Sequence, residues 1–234
     1  MAHVEIVPAI LESSLADIKE RLLQVRGAVR AVQLDVVDGV YARSRTWPYA
    51  SAHAQEEFAH IVAQEDGLPL WEEFDFEIDL MVEHARLEAA RWVEAGASRI
   101  IVHADSPDAR EALESLQTSR GGDTGIKVGV ALASTDAPES LAVFDGLCDF
   151  VQVMGIEHVG SQGNPFDPRA LALVRTLHER YPELSIQVDG GIGEDHAREC
   201  ANAGASRLVV GSTIFSSPDP KGTLEDLRAA VNSR

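Results

Sequence analysis

The sequence predicts an α/β fold, a (β/α)8 TIM barrel formed as one domain over residues 1–234, and three observations point to it. Eight short apolar runs rich in valine and isoleucine recur along the chain, and amphipathic segments fall between them. The length of 234 residues is close to the ~250 of a typical single-domain barrel of this kind.

The strand segments are VEIVPAI (4–10), AVQLDVV (31–37), FEIDLMV (76–82), RIIVHA (99–104), KVGVALA (127–133), FVQVMG (150–155), SIQVDG (185–190) and RLVVGS (207–212). Nearly continuous Val/Ile runs suit parallel strands covered on both faces. Helical spacing marks 15–27, 83–97, 167–181, 194–205 and the closing segment 222–234, several of them ending at a glycine. Asp167 and Pro168 open the third of these as cap and first-turn residue. Strand followed by helix, eight times, is the pattern of the barrel. EAGASRIIVHADS (94–106) is echoed by NAGASRLVVGSTI (202–214), before the fourth and eighth strands, as two half-barrels would give. The longest irregular stretches are 38–54 and 63–75, and the first follows the second strand, where barrels build their active face.

A net charge of -18 repels phosphodiester backbones and acidic lipid surfaces, so neither nucleic acid nor membrane is an expected partner. An anionic substrate needs a local trap instead. Cys148 and Cys200 are expected to be reduced and buried. The opening MAHVEIVPAIL lacks the basic and apolar regions of a signal peptide, and no apolar run reaches the ~18 residues of a membrane span. A cytoplasmic location is expected.

Strand side chains alternate between faces. Gln33, Asp35 and Val37 share one face; so do Glu77, Asp79 and Met81, Gln152 and Met154, and Gln187 and Asp189. The opposite faces carry Leu34, Val36, Ile78, Leu80, Val151, Val153, Ile186 and Val188, which must meet the helices. The polar face therefore points into the barrel, with Asp35, Asp79 and Asp189 at the C-terminal mouth where barrel chemistry resides. One such aspartate is ordinarily a solvated strand end. Three in phase with two glutamines point to a polar site. Asp38, of opposite parity, starts a turn with Gly39.

VDGGIG (188–193) and VVGSTIF (209–215) each lead from a strand into glycine. Loops after the seventh and eighth strands commonly bind phosphate, and glycine lets backbone N–H groups approach an anion. Gly190, Gly191, Gly211 and Ser212 are the candidates; the alternative is a pair of tight turns.

These motifs resemble ribulose-phosphate 3-epimerase along nearly the whole chain, and the barrel is then of the ribulose-phosphate-binding type. VPAIL, LDVVDG (34–39), DLMVE (79–83), VHADS, VQVMG, VDGGI and GSTIF occur in family order. The resemblance implies that Asp35 and Asp189 act as acid and base on opposite sides of C3 of a ketose phosphate, through an enediolate. It retains Met81 and Met154 beside the substrate and implies a divalent metal held by two His and the same two Asp. It also implies a symmetric oligomer. Here the sequence departs. Gln33 and Asp79 stand where the family has the two histidines, Ala9 replaces a serine, Val37 a methionine, and GIEHVGSQGNPF lacks the family's sixth-loop run, with Gly160, Gln162 and Phe166 matching parts of it.

Gln33, Asp35, Asp79 and Asp189 would make an all-oxygen donor set suited to Mg²⁺, Mn²⁺ or Ca²⁺ rather than Zn²⁺. Without a cation the close carboxylates must share a proton. His103 is a candidate substrate contact, a ligand or a packed side chain; Arg43 and Arg45 are a phosphate clamp or solvated loop residues. No organic cofactor is expected. The sequence thus supports a sugar-phosphate epimerase or, alternatively, a non-catalytic barrel binding a phosphorylated sugar as sensor or partner module. A Schiff-base aldolase is disfavoured because, of Lys19, Lys127 and Lys221, only Lys127 lies on a strand, at its wrong end.

Overall fold

The structure, a computed structural model, describes residues 3–119 and 125–232. Eight parallel strands, β1 (Glu5–Ile10), β2 (Ala31–Val37), β3 (Asp75–Met81), β4 (Arg99–His103), β5 (Lys127–Leu132), β6 (Phe150–Met154), β7 (Ser185–Asp189) and β8 (Arg207–Val210), pair in chain order. β8 closes on β1, giving the (β/α)8 barrel. The helices are α1 (Leu15–Val25), α2 (Ala52–Val62), α3 (Ala85–Glu94), α4 (Ala109–Ser119), α5 (Arg169–Arg180), α6 (Glu194–Ala203), α7 (Ser212–Phe215) and α8 (Pro220–Asn232).

Strand parity sorts the core into two parts. Val32, Leu34, Val36, Ile78, Leu80, Val151, Val153, Ile186 and Val188 join the large cluster between sheet and helices. Separate small clusters, Val7, Ala9 and Val209 on one side and Ile101, Ala131, Phe150 and Met154 on the other, flank the buried polar side chains inside the barrel. Helix starts follow local chemistry: the Ser14 hydroxyl accepts from the Asp17 N–H at 3.1 Å and Ser51 from Ala54 at 3.1 Å, each satisfying an N–H that the helix cannot. Under α2 and α3, Trp47 meets Phe58 and Trp92 edge-on at 5.5 and 5.8 Å between ring centroids, a favoured aromatic geometry.

Strand followed by α-helix does not hold at every repeat. After β5 the connection is a 3-10 helix, Pro138–Phe144, which ends at Asp145 and is followed by Gly146 with φ +72°. After β8 two helices follow instead of one, and α8 begins at Pro220, two residues before the expected segment, whose residues 233–234 lie outside the described residues. α2 begins inside the stretch read as irregular to residue 54. Among the described residues, no helix is long and apolar enough to cross a membrane.

Candidate active site

The barrel interior is polar in three tiers. Lowest lies Glu77, fully buried, ion-paired with Arg99 and 3.3 Å from Arg207, which also meets Glu5 at 2.6 Å. These pairs neutralise a carboxylate that could not otherwise be buried charged. Above it lie Gln33, Gln152 and Gln187, all fully buried. At the mouth stand Asp35, Asp79 and Asp189; Asp79 is 0% and Asp189 7% exposed, while Asp35 is partly open to the cleft. Register explains the level: Asp35 pairs with Asp79 across β2 and β3, and Asp189 with Met154 across β7 and β6.

One oxygen from each aspartate lies within 4.8 Å of the others. Gln33 Nε2 donates to Asp35 Oδ1 at 2.8 Å and to Asp189 Oδ2 at 2.7 Å. Gln152 Nε2 lies 3.3 Å from Asp79 Oδ2 and 3.4 Å from Asp189 Oδ2. Burial, then the charge of Asp79, pushes the Asp35 carboxyl up to about 8, with the Gln33 hydrogen bond offsetting part of the rise. Burial, then the charges of Asp35 and Asp79, raises Asp189 well above the usual carboxylate range. His103 is buried with Nε2 3.0 Å from Asp79 Oδ1. Burial disfavours its imidazolium, but the charge and hydrogen bond of Asp79 prevail and raise its pKa.

A cleft opens above these groups. Asp35, Asp79, Asp189, Met81 and Met154 line its floor, and Gly190, Gly191, Gly211 and Ser212 line one side. Gly191 has φ +70°, and a Cβ there would sit 2.7 Å from Phe166 Cα; at Gly211 a Cβ would meet Gln162 Nε2 at 2.4 Å. At Gly191 only glycine lets the two backbones pass so closely, whereas at Gly211 the close neighbour is the end of the Gln162 side chain. The sixth loop roofs the cleft with Gly160, Ser161, Gln162, Gly163 and Asn164. It is tied down at Ala9, whose carbonyl accepts from Gln162 Nε2 at 3.1 Å, and at Ser44, whose hydroxyl donates to the Gly160 carbonyl. At the loop's far end Asp167 accepts from Ser134 Oγ at 2.5 Å and pairs with Arg169 at 2.8 Å.

The sequence-derived aspartates, methionines and glycines therefore converge on one cleft. His103 stands behind Asp79 and is not among the lining residues, and Arg43 and Arg45 are exposed outside it. Lys127 pairs with Asp149 at 3.8 Å at the opposite end of the barrel. Asp38 holds the turn, accepting from the N–H groups of Val40 at 2.7 Å, Tyr41 at 2.9 Å and Glu83 at 2.8 Å. Cys148 and Cys200 are free thiols, which burial pushes up to about 11 and about 12; Cys200 is buried and Cys148 only partly so. Two features escaped sequence reasoning. Ser161 and Asn164 lie in a loop without periodicity, and Tyr41 donates to Asp105 Oδ1 at 2.5 Å while its ring lies 5.2 Å from that of His103. No signal within either segment announces the partner.

A closed parallel barrel with a carboxylate cluster at its C-terminal mouth and glycine turns after the last two strands has the architecture of a TIM-barrel enzyme. The chain belongs to the ribulose-phosphate 3 epimerase family, whose model matches residues 5–215. The ribulose-phosphate 3-epimerase of Schizosaccharomyces pombe is 32% identical over 160 residues, 68% of each chain. That of Eremothecium gossypii is 27% identical over 228 residues, covering 97% of this chain and 92% of the relative. Among solved structures, 3-hexulose-6-phosphate synthase from Salmonella typhimurium shares the fold with a TM-score of 0.70 at 18% identity, over 97% of this chain and 98% of the other. The protein is accordingly an enzyme of the isomerase class, of the sugar-phosphate epimerase type, and the sensor-module alternative gives way.

Proposed function

We propose that the enzyme interconverts ribulose 5-phosphate and xylulose 5-phosphate, or a related ketose phosphate pair, by two-aspartate acid–base catalysis at C3. The observation that carries this reading is that Asp35 and Asp189, from strands far apart in sequence, share one amide donor at 2.8 and 2.7 Å on the floor of a single cleft. Epimerisation must remove a proton from one face of C3 and return one to the other. That requires one carboxylate ionised and one protonated at the same moment. Burial and mutual repulsion raise both carboxyls, so the cluster retains a proton to donate, and a cation bound beside them would favour ionisation of the partner that acts as base. Either aspartate serves as base for one epimer and as acid for the other.

The backbone amides of Gly190, Gly191, Gly211 and Ser212 would receive the phosphate, their neutral donors suiting an anion in a chain of net charge -18. Met81 and Met154 would pack against the carbon chain, and the sixth loop would keep water from the enediolate. Three carboxylate oxygens within 4.8 Å of one another fit a hard divalent cation such as Mg²⁺ or Mn²⁺. Held by Asp35, Asp79 and Asp189, it would supply positive charge beside the developing enediolate oxygens. His103, hydrogen-bonded behind Asp79, would orient that carboxylate.

The test follows C3 proton exchange into D₂O with ribulose 5-phosphate. D35N and D189N are each expected to lower turnover about 10²–10⁴-fold with the barrel's circular dichroism unchanged. Retained turnover in both variants would remove the assignment.

A further inference from the structure

A glutamine amide can usually be turned over without cost, but in this barrel a residue that only donates fixes three of them. Arg207 Nε donates to Gln187 Oε1 at 2.8 Å. Arginine has no acceptor, so Gln187 must show it oxygen and turn its nitrogen the other way. That nitrogen donates to Glu77 Oε1 at 2.7 Å and Gln152 Oε1 at 2.7 Å, and faces Gln33 Oε1 at 3.3 Å. Gln33 and Gln152 thus turn oxygen towards Gln187 and nitrogen towards the aspartates. Reversing Gln33 would set two amide nitrogens against each other at 3.3 Å below and an amide oxygen against two carboxylates above.

We propose that Gln33 is a positioning residue, locked by Arg207 through Gln187, whose N–H groups clasp the Asp35 and Asp189 carboxylates, and that it is not a metal ligand. The position where the family resemblance implies a histidine ligand here presents a hydrogen-bond donor to the carboxylates. A divalent cation bound at the mouth is then held by the three carboxylates and water alone. The inference concerns the orientation of the amide, rests on the acid–base reading only for its catalytic meaning, and is tested without turnover, so the two can fail separately.

Mn²⁺ binding to the whole protein, followed by electron paramagnetic resonance, gives the first readout. Under the proposal Q33A binds Mn²⁺ no more weakly than the wild type, because the lost N–H groups competed for the carboxylate lone pairs. R207K, which keeps a donor beneath Gln187, retains wild-type affinity, whereas R207M, which frees the amides to turn, binds Mn²⁺ more tightly. An oxygen ligand at this position would instead make Q33A bind Mn²⁺ more weakly than the wild type, and that result overturns the proposal. Equal affinity in R207M and wild type would remove Arg207 from it. A neutron structure of the unaltered protein reads the amide directly and needs no bound metal: deuterons of Gln33 directed at Asp35 Oδ1 and Asp189 Oδ2 uphold the clasp, and oxygen in their place refutes it.

Discussion

Replacing Asp35 by asparagine should stabilise the metal-stripped protein at pH 8 while disabling it. Asp35 has its carboxyl pushed from the ordinary 3.8 up to about 8 by burial and by Asp79. The native state therefore keeps a proton that the unfolded chain releases above pH ~4. Between those limits the native state binds more protons than the unfolded one, so wild-type stability falls as pH rises, by about 1.4 kcal/mol per pH unit for each such proton. The full window gives roughly 6 kcal/mol; since Asp35 is partly open to the cleft, about half of that, ~3 kcal/mol, is the reasonable expectation. Asparagine carries no such charge and has no such slope. Urea unfolding in chelator at pH 4, 6 and 8 is the assay. The two proteins should be alike at pH 4, and D35N should be the more stable by ~3 kcal/mol at pH 8. Parallel stability curves across that range would refute the claim that burial and carboxylate crowding hold the proton.

G191A should raise KM for a sugar phosphate at least tenfold and destabilise the protein by about 1–3 kcal/mol, because the new Cβ meets Phe166 backbone at 2.7 Å and φ is +70°; steady-state kinetics and thermal melts check both. Trp92→Ala should cost about 3–5 kcal/mol, since Trp92 is 0% exposed and packs edge-on against Trp47 and tilted against Phe58, outside the cleft lining; a Tm unchanged from wild type would contradict the packing described for α2 and α3.

The barrel and most of its polar interior were legible in the sequence because strand periodicity is a local property. An aspartate two residues from a glutamine on a strand must share its face, whatever the rest of the chain does, and Gln33, Asp35, Asp79, Gln152, Gln187 and Asp189 were all placed inward on that ground. Glycines beside the seventh and eighth strands were legible for a similar reason, since a Gly-Gly or Gly-Ser step ending a Val-rich run says that the backbone needs room. The sixth loop was not, because Gly160–Asn164 has no period and is held by Ala9 and Ser44, distant in sequence.

The residue types and their facing were thus set by the sequence alone. What only the tertiary structure decided is direction within the site. Whether Gln33 offers nitrogen or oxygen to Asp35 depends on Gln187, and Gln187 on Arg207, through contacts at 3.3 and 2.8 Å. A hydrogen bond has polarity, and that polarity is fixed by a partner on another strand, which no pattern of neighbours along the chain encodes.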